Sequence, residues 1–252
     1  KRRAGAAYAL VKIIGKDAIP ELKKTVDVED DEPLRLASAW GLVTLEPTNE
    51  DYVKMALPRL IAGLTAELPL AKKESAAALE SLGPKAIVAL PELVRTAQDS
   101  DPSVRAEALA AMAEIDPTGK DVLPTALKLL DDSERTVRLT AGFVIGKGGA
   151  ASKSAIPALR QLLRSVDPME QTIAAWALVQ IDPSPEIIET AIPLLIKALQ
   201  SVNPAARREA VTTLGKIGGK NKAVRDAVAE LSRDPDPAVR KAAEDAVKQL
   251  GG

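Results

Sequence analysis

The chain has 252 residues, 46% hydrophobic and 27% charged, with a formal net charge of −1; that balance fits a folded protein and not a disordered one. It has no His, no Cys and only five aromatics, Tyr8, Trp40, Tyr52, Phe143 and Trp176. These absences exclude the usual zinc sites, Cys or Ser-His nucleophile systems and disulfide frameworks, and no apolar run approaches the ~20 residues that span a bilayer.

The first segment, Lys1-Arg-Arg followed by AGAAYALVKIIG, has the outline of a signal-peptide h-region. Lys12 and Lys16 interrupt it, however, and it reads as amphipathic helix. No targeting segment is legible, and neither the composition nor the missing Cys indicates a compartment. Lys1 begins inside a helix with no capping residue before it, so the natural chain is expected to continue upstream.

Further along, one phrase occurs twice: DSDPSVRAEA at 99–108 and DPDPAVRKAA at 234–243. Searching at its phase gives repeat starts near 1, 32, 69, 102, 135, 168 and 204, with a final half unit at 237–252. Counted from each start, +3 holds Arg35, Lys72, Arg105, Arg138, Gln171, Arg207 and Arg240, after Arg3 in the first unit. Position +6 is always Ala or Ser, +10 is apolar throughout, and +13 is apolar apart from Gly148. Those three columns share one face of a 3.6-period helix and are predicted to be buried. This is helix A.

Helix B follows in each unit, marked by AIPEL (18–22), ALPRL (56–60), ALPEL (89–93), VLPTAL (122–127), AIPAL (155–159) and AIPLL (191–195). The proline mostly falls in the first turn, where a missing N–H costs little. No segment sustains strand alternation, so the chain reads as about fifteen helices forming one array over 1–252.

The repeated phrase is a helix-start device. Asp101, Glu134, Asp167, Asn203 and Asp236 precede helix A and can cap it, and Pro102, Pro168, Pro204 and Pro237 suit its first turn. The +3 arginines are expected to lie near these acidic caps, of their own or the neighbouring unit, making Arg35, Arg105, Arg138, Arg207 and Arg240, with Asp101 and Asp236, a structural ladder.

DPxVRxxA, an apolar helix, a Gly or Asp-Pro turn and then AIPxL together resemble HEAT repeats, and most closely the short HEAT-like type of phycobilin lyase subunits. The resemblance covers essentially the whole chain and implies an all-α fold, a right-handed α-solenoid of about seven and a half helix pairs. The period is shorter than the ~40–47 residues usual for HEAT. The Trp/Tyr/Phe pattern of tetratricopeptide repeats is absent, and the ankyrin TPLHxA phrase needs a His.

Two units depart from the period. PTNEDYVKM (47–55) and PSPEIIET (183–190) add three or four residues, close to one turn of helix B, with Thr48 or Ser184 as the expected new caps and Pro58 and Pro193 inside the helix. Both units carry Trp at +8, Trp40 and Trp176, read as space-filling residues against the added turn and not as a ligand-binding stripe. In the last helix, Glu244 and Asp245 stand where earlier units are mostly apolar or small, as a solvent-facing terminal cap requires.

No catalytic, metal or cofactor site is legible. Gly146-Lys-Gly-Gly149 lacks the GxxxxGK[ST] spacing and a preceding strand, and reads as an A–B turn. Asp131, Asp132 and Glu134 lack the spacing and glycine of a calcium loop, and the acidic run from Asp27 to Glu32 reads as a solvated linker. Among HEAT-like enzymes, the resemblance implies His-Glu iron ligands for the hydroxylases and a basic, aromatic groove for the DNA glycosylases; this chain has neither, and its charge argues against nucleic acid.

The function expected is therefore a non-catalytic protein-binding scaffold or adaptor, with no cofactor and no membrane insertion. Alternatives are an accessory subunit of a lyase-like or chaperone-like assembly and, more weakly, a nucleic-acid binder. Resemblance to HEAT arrays implies that the B helices form the binding face. Four residues after each helix-B proline, or after Asp226 in its place, stand Lys24, Ala62, Arg95, Lys128, Gln161, Lys197 and Glu230. With Arg160 and Arg164 flanking Gln161, the candidate contact residues are Lys24, Arg95, Lys128, Arg160, Arg164 and Lys197, facing an acidic strip on a partner protein.

Overall fold

In the computed structural model, which describes residue 9 and residues 11–27, 31–219 and 221–251, the described residues are helices, 3-10 segments and turns, with no strand. The fold class is all-α. Contacts divide the chain into two compact units, Lys1–Val144 and Ile145–Gly252, and the same helix pair builds both.

In the first unit the A helices Glu32–Leu45, Pro69–Leu82 and Pro102–Ile115 alternate with the B helices Ile19–Thr25, Glu50–Gly63, Leu90–Thr96 and Val122–Leu129. Pro69–Leu82 packs on Pro102–Ile115, and Glu32–Leu45 packs on Glu50–Gly63. The A helix Arg135–Lys147 contains the division point between the units. The second unit continues with Ile156–Leu162, Pro168–Ile181, Pro185–Ala198, Pro204–Ile217, Lys222–Glu230 and Pro237–Gln249.

The core follows the predicted columns. Ser38, Ser75, Ala108, Ala141, Ala174, Ala210 and Ala243 at +6 are all buried, so neighbouring helices approach closely there. At +10, Leu42, Leu79, Met112, Ile145, Leu178 and Leu214 are buried, while Val247 is half-buried. Column +13 is less uniform. Leu82, Ile115, Ile181 and Leu250 are buried, Leu45 and Ile217 half-buried, and Ile13 is 79% exposed, against expectation. That position lies in the last turn of helix A, where packing is shared with an A–B turn that varies between units.

Helix starts are largely as the sequence dictates. Asp31, Asp101, Asp167, Asn203 and Asp236 accept backbone N–H bonds from the first turn of the following A helix. Pro20, Pro91 and Pro157 occupy the second position of their B helices. The two lengthened B helices, Glu50–Gly63 and Pro185–Ala198, have 14 residues each, against 7 in Leu90–Thr96 and Ile156–Leu162.

Their caps differ from expectation. Asn49, and not Thr48, caps Glu50–Gly63: it is the extended residue directly before the helix, and its Oδ1 accepts from the N–H groups of Asp51 and Tyr52. Ser184 stands at the cap position of Pro185–Ala198 but makes no side-chain cap bond.

Trp176 is buried across the A helices. Its indole N–H donates to Glu209 at 3.0 Å, and its ring lies so close to Gly146 that a Cβ there would fall 2.2 Å from a ring carbon. Gly146, in the last turn of Arg135–Lys147, thus makes room for the ring, and the A–B turn follows, with Gly149 turning the chain at φ +51. At Pro237–Gln249, Glu244 is exposed and Asp245 partly so, the latter paired with Lys241. Arg3, Tyr8 and the centre of the acidic run lie in residues 1–8 and 28–30, outside the described residues; at that run's edges Asp27 pairs with Arg59 and Asp31 caps a helix.

Candidate functional site

Each helix B is fixed by its buried stripe. Two residues after the proline or Asp226, Leu22, Leu60, Leu93, Ala126, Leu159, Leu195 and Val228 are all buried. Two residues further is 200° around the helix, so the next column must turn away from the core. Lys24, Ala62, Arg95, Lys128, Gln161, Lys197 and Glu230 are all exposed, and Arg160 and Arg164 are exposed beside Gln161.

The cations on this face are not equivalent. Lys24 pairs with Glu21 at 3.3 Å and Arg95 with Glu92, each one turn back on its own helix. Lys128 reaches across to Oε1 of Gln98 at 3.2 Å, and Arg160 pairs with Glu186 at 3.0 Å. Arg164 and Lys197 make no side-chain hydrogen bond or ion pair with another described residue. Exposed pairs of this kind contribute only about 0–1 kcal/mol, so an incoming carboxylate displaces them at little cost.

The +3 residues form a different system. Arg105 donates through Nε at 2.8 Å and Nη2 at 2.6 Å to the two oxygens of Asp132, while Nη1 reaches the carbonyls of Asp99 and Ser100. Arg207 repeats the arrangement with Asp234 at 2.7 Å for both bonds, and with the carbonyls of Ser201 and Val202. Lys72 pairs with Asp99. Arg138 and Arg240 bind the carbonyls of Asp132 and Ser133, and of Asp234 and Pro235. Arg35 is half-buried at the same register.

The neighbouring caps Glu134 and Asp236 do lie near Arg105 and Arg207, but the bonded partners are other residues. The aspartates that meet Lys72, Arg105 and Arg207 stand three residues before a repeat start, not one. Asp101 and Asp236 instead cap their own helices, Asp101 also accepting from the Ser103 hydroxyl. Asp132 and Asp234 each accept a backbone N–H as well, from Glu134 and Asp236, and a carboxylate has room for that bond and for the guanidinium together. The signal is present in the sequence: Asp99, Asp132 and Asp234 recur at one register, two residues before the caps.

The guanidinium of Arg105 holds the Asp132 carboxyl below its usual range against the opposing effect of burial, and Arg207 does the same for Asp234. At Asp99 burial acts upward, but the bonds from Lys72 and the Asp101 N–H leave it lowered. Asp116 is buried in an A–B turn. There burial is outweighed by bonds from the hydroxyl of Thr118 and the backbone N–H groups of Asp121 and Thr118.

These carboxylates are structural. Asp132, considered above with Asp131 and Glu134 as a cation ligand, is occupied by Arg105, and no metal-holding cluster exists among the described residues. No helix is long and apolar enough to cross a membrane among them.

Comparison with known proteins places this geometry in context. The description of HEAT repeats matches residues 57–138, 123–192 and 188–248. No curated protein matches the chain. Among solved structures, the complex of CpcE and CpcF of phycocyanin lyase from Nostoc sp. PCC7120 is similar at TM-score 0.58 and 22% identity, over 92% of this chain and 94% of that one. An engineered protein is similar at TM-score 0.51 and 24% identity, over 77% of this chain and 96% of that one. At these identities the structural likeness carries the fold alone.

Proposed function

The chain belongs to the HEAT-repeat family, and we propose that it is a non-catalytic scaffold or adaptor that binds another protein through the exposed faces of its B helices. One observation carries this reading. Every position of the B-helix column is exposed while the column two residues before it is buried throughout, so the exposed side chains stand on a rigidly packed support. Lys24, Arg95 and Lys128 give the B-helix surface of the first unit a local basic excess, and Arg160, Arg164 and Lys197 that of the second, on a nearly neutral chain. Its partner is then a protein with an acidic strip, attracted by charges that salt screens.

The test reverses Arg95, Lys128 and Lys197 to Glu together and measures binding of a fluorescent poly-glutamate peptide at low and moderate salt. Wild type should bind at low salt and weaken as salt rises, while the variant should lose binding with its helix content intact. Equal binding by both proteins at both salts would remove the column from the function.

A second reading is an accessory subunit of a lyase-like or chaperone-like assembly, favoured by similarity to a complex of two phycocyanin lyase proteins. A bilin absorbance change on mixing with the protein would support it. Nucleic-acid binding is the weaker alternative, and steep salt-dependent oligonucleotide binding would support that one instead.

A further inference from the structure

Both lengthened B helices place their added turn beside the end of the preceding helix B, and the two places correspond residue by residue. In the second unit a cleft of about 70 Å³ opens there, lined by Arg160, Leu163, Ala175, Leu178, Glu186, Ile187, Thr190 and Ala191. Its floor is apolar, with Ala175, Leu178, Ile187 and Ala191 all buried. At its rim the exposed Arg160 pairs with the exposed Glu186.

The same register in the first unit has Ala39, Leu42 and Ala56 in place of Ala175, Leu178 and Ala191. Five lining positions differ: Leu163, Glu186 and Thr190 become Val26, Asp51 and Met55, and the other two concern a ring and a cation. Where the second unit has Ile187, the first has Tyr52. Where the second has Arg160, the first has Lys23, whose Nζ lies 5.5 Å from the centroid of the Tyr52 ring. The first unit therefore sets a half-buried aromatic ring under a cation at this register. The second has a shorter aliphatic residue, an open cleft and a guanidinium above it.

We propose that this cleft receives an aromatic side chain from a partner protein, within an acidic segment, and that the ring lies under Arg160 as Tyr52 lies under Lys23. The inference rests on the B-helix binding reading above and gives that partner its apolar anchor. Size and charge both fit. A cavity of about 150 Å³ encloses benzene, so this cleft takes the inner edge of a ring and leaves the outer face for the guanidinium, which stacks well on aromatic rings. Carboxylates beside the aromatic residue would exchange with Glu186 at Arg160, an exposed pair of little strength. They would also meet Arg164, one turn beyond Arg160, and Lys197, two turns beyond Thr190.

The experiment compares two fluorescent pentapeptides on the full chain, Glu-Glu-Tyr-Glu-Glu and Glu-Glu-Ala-Glu-Glu. Wild type should prefer the Tyr peptide by about fivefold, the scale of one aromatic and cation–π contact. Ile187→Tyr, which copies the first unit, should fold normally and bind both peptides equally, because its own ring fills the cleft. Arg160→Gln, on an exposed side chain that leaves the core untouched, should reduce the preference if Ile187→Tyr proves unstable. Equal binding of both peptides by wild type, or a Tyr preference that survives both substitutions, would overturn the anchor while leaving the acidic-strip reading standing. Binding of neither peptide would overturn both.

Discussion

Replacing Arg105 with Ala tests whether the repeat-to-repeat ladder holds the first unit together. The substitution removes two bonds to Asp132 and two to the carbonyls of Asp99 and Ser100. The pair is nearly enclosed, with Arg105 12% and Asp132 8% exposed. Removing one partner of a buried ion pair costs about 3–5 kcal/mol, whereas an exposed pair contributes about 0–1 kcal/mol. Asp132 keeps the backbone N–H of Glu134 after the change, which eases the orphaned carboxylate. The expected loss is therefore about 2–4 kcal/mol, below the top of the buried range.

Urea denaturation followed by circular dichroism measures this loss. Because repeat arrays need not unfold in one step, hydrogen exchange in Pro102–Ile115 should accompany it and show faster opening in that helix. The Arg105→Ala, Asp132→Ala and double variants together isolate the pair from the carbonyl bonds. Arg95→Ala is the internal control, since that side chain is 72% exposed and bonded only one turn back. A loss for Arg105→Ala no larger than for Arg95→Ala would refute the ladder.

Three further outcomes are expected. Leu178→Ala, at a residue 2% exposed, should cost about 2–5 kcal/mol in urea denaturation, and a loss near zero would contradict the assigned core. Gly146→Ala should cost about 1–3 kcal/mol by overpacking and shift the Trp fluorescence, because the new methyl meets the Trp176 ring; an unchanged melt and spectrum would show that the ring does not need the gap. Asp99, Asp132 and Asp234 have lowered folded pKa values, so their stabilisation is complete above the unfolded value of about 3.9 and is lost as pH falls through the folded values. Urea midpoints should accordingly drop on acidification below about pH 4, and less steeply in Asp132→Asn; identical acid limbs would count against the ion pair.

The sequence alone determined the helix pair, its repeat positions and the buried columns at +6 and +10. These depend on 3.6-residue periodicity and on caps and prolines acting within a few residues of themselves, information that is local and repeated seven times. It also determined the exposed B-helix column, because a residue 200° from a buried one must face outward. Only the tertiary structure decided what lies across units. That Arg105 and Arg207 choose Asp132 and Asp234 over the caps depends on the approach of a helix pair 27 residues further along the chain. That Gly146 is small for the sake of Trp176 depends on two A helices meeting. The cleft beside Arg160 is the sharpest case. PSPEIIET (183–190) announces an added turn, but whether its side chains leave an opening beside the preceding helix, as at Ile187, is a matter of side-chain volume in a packed interface. Periodicity cannot supply that volume.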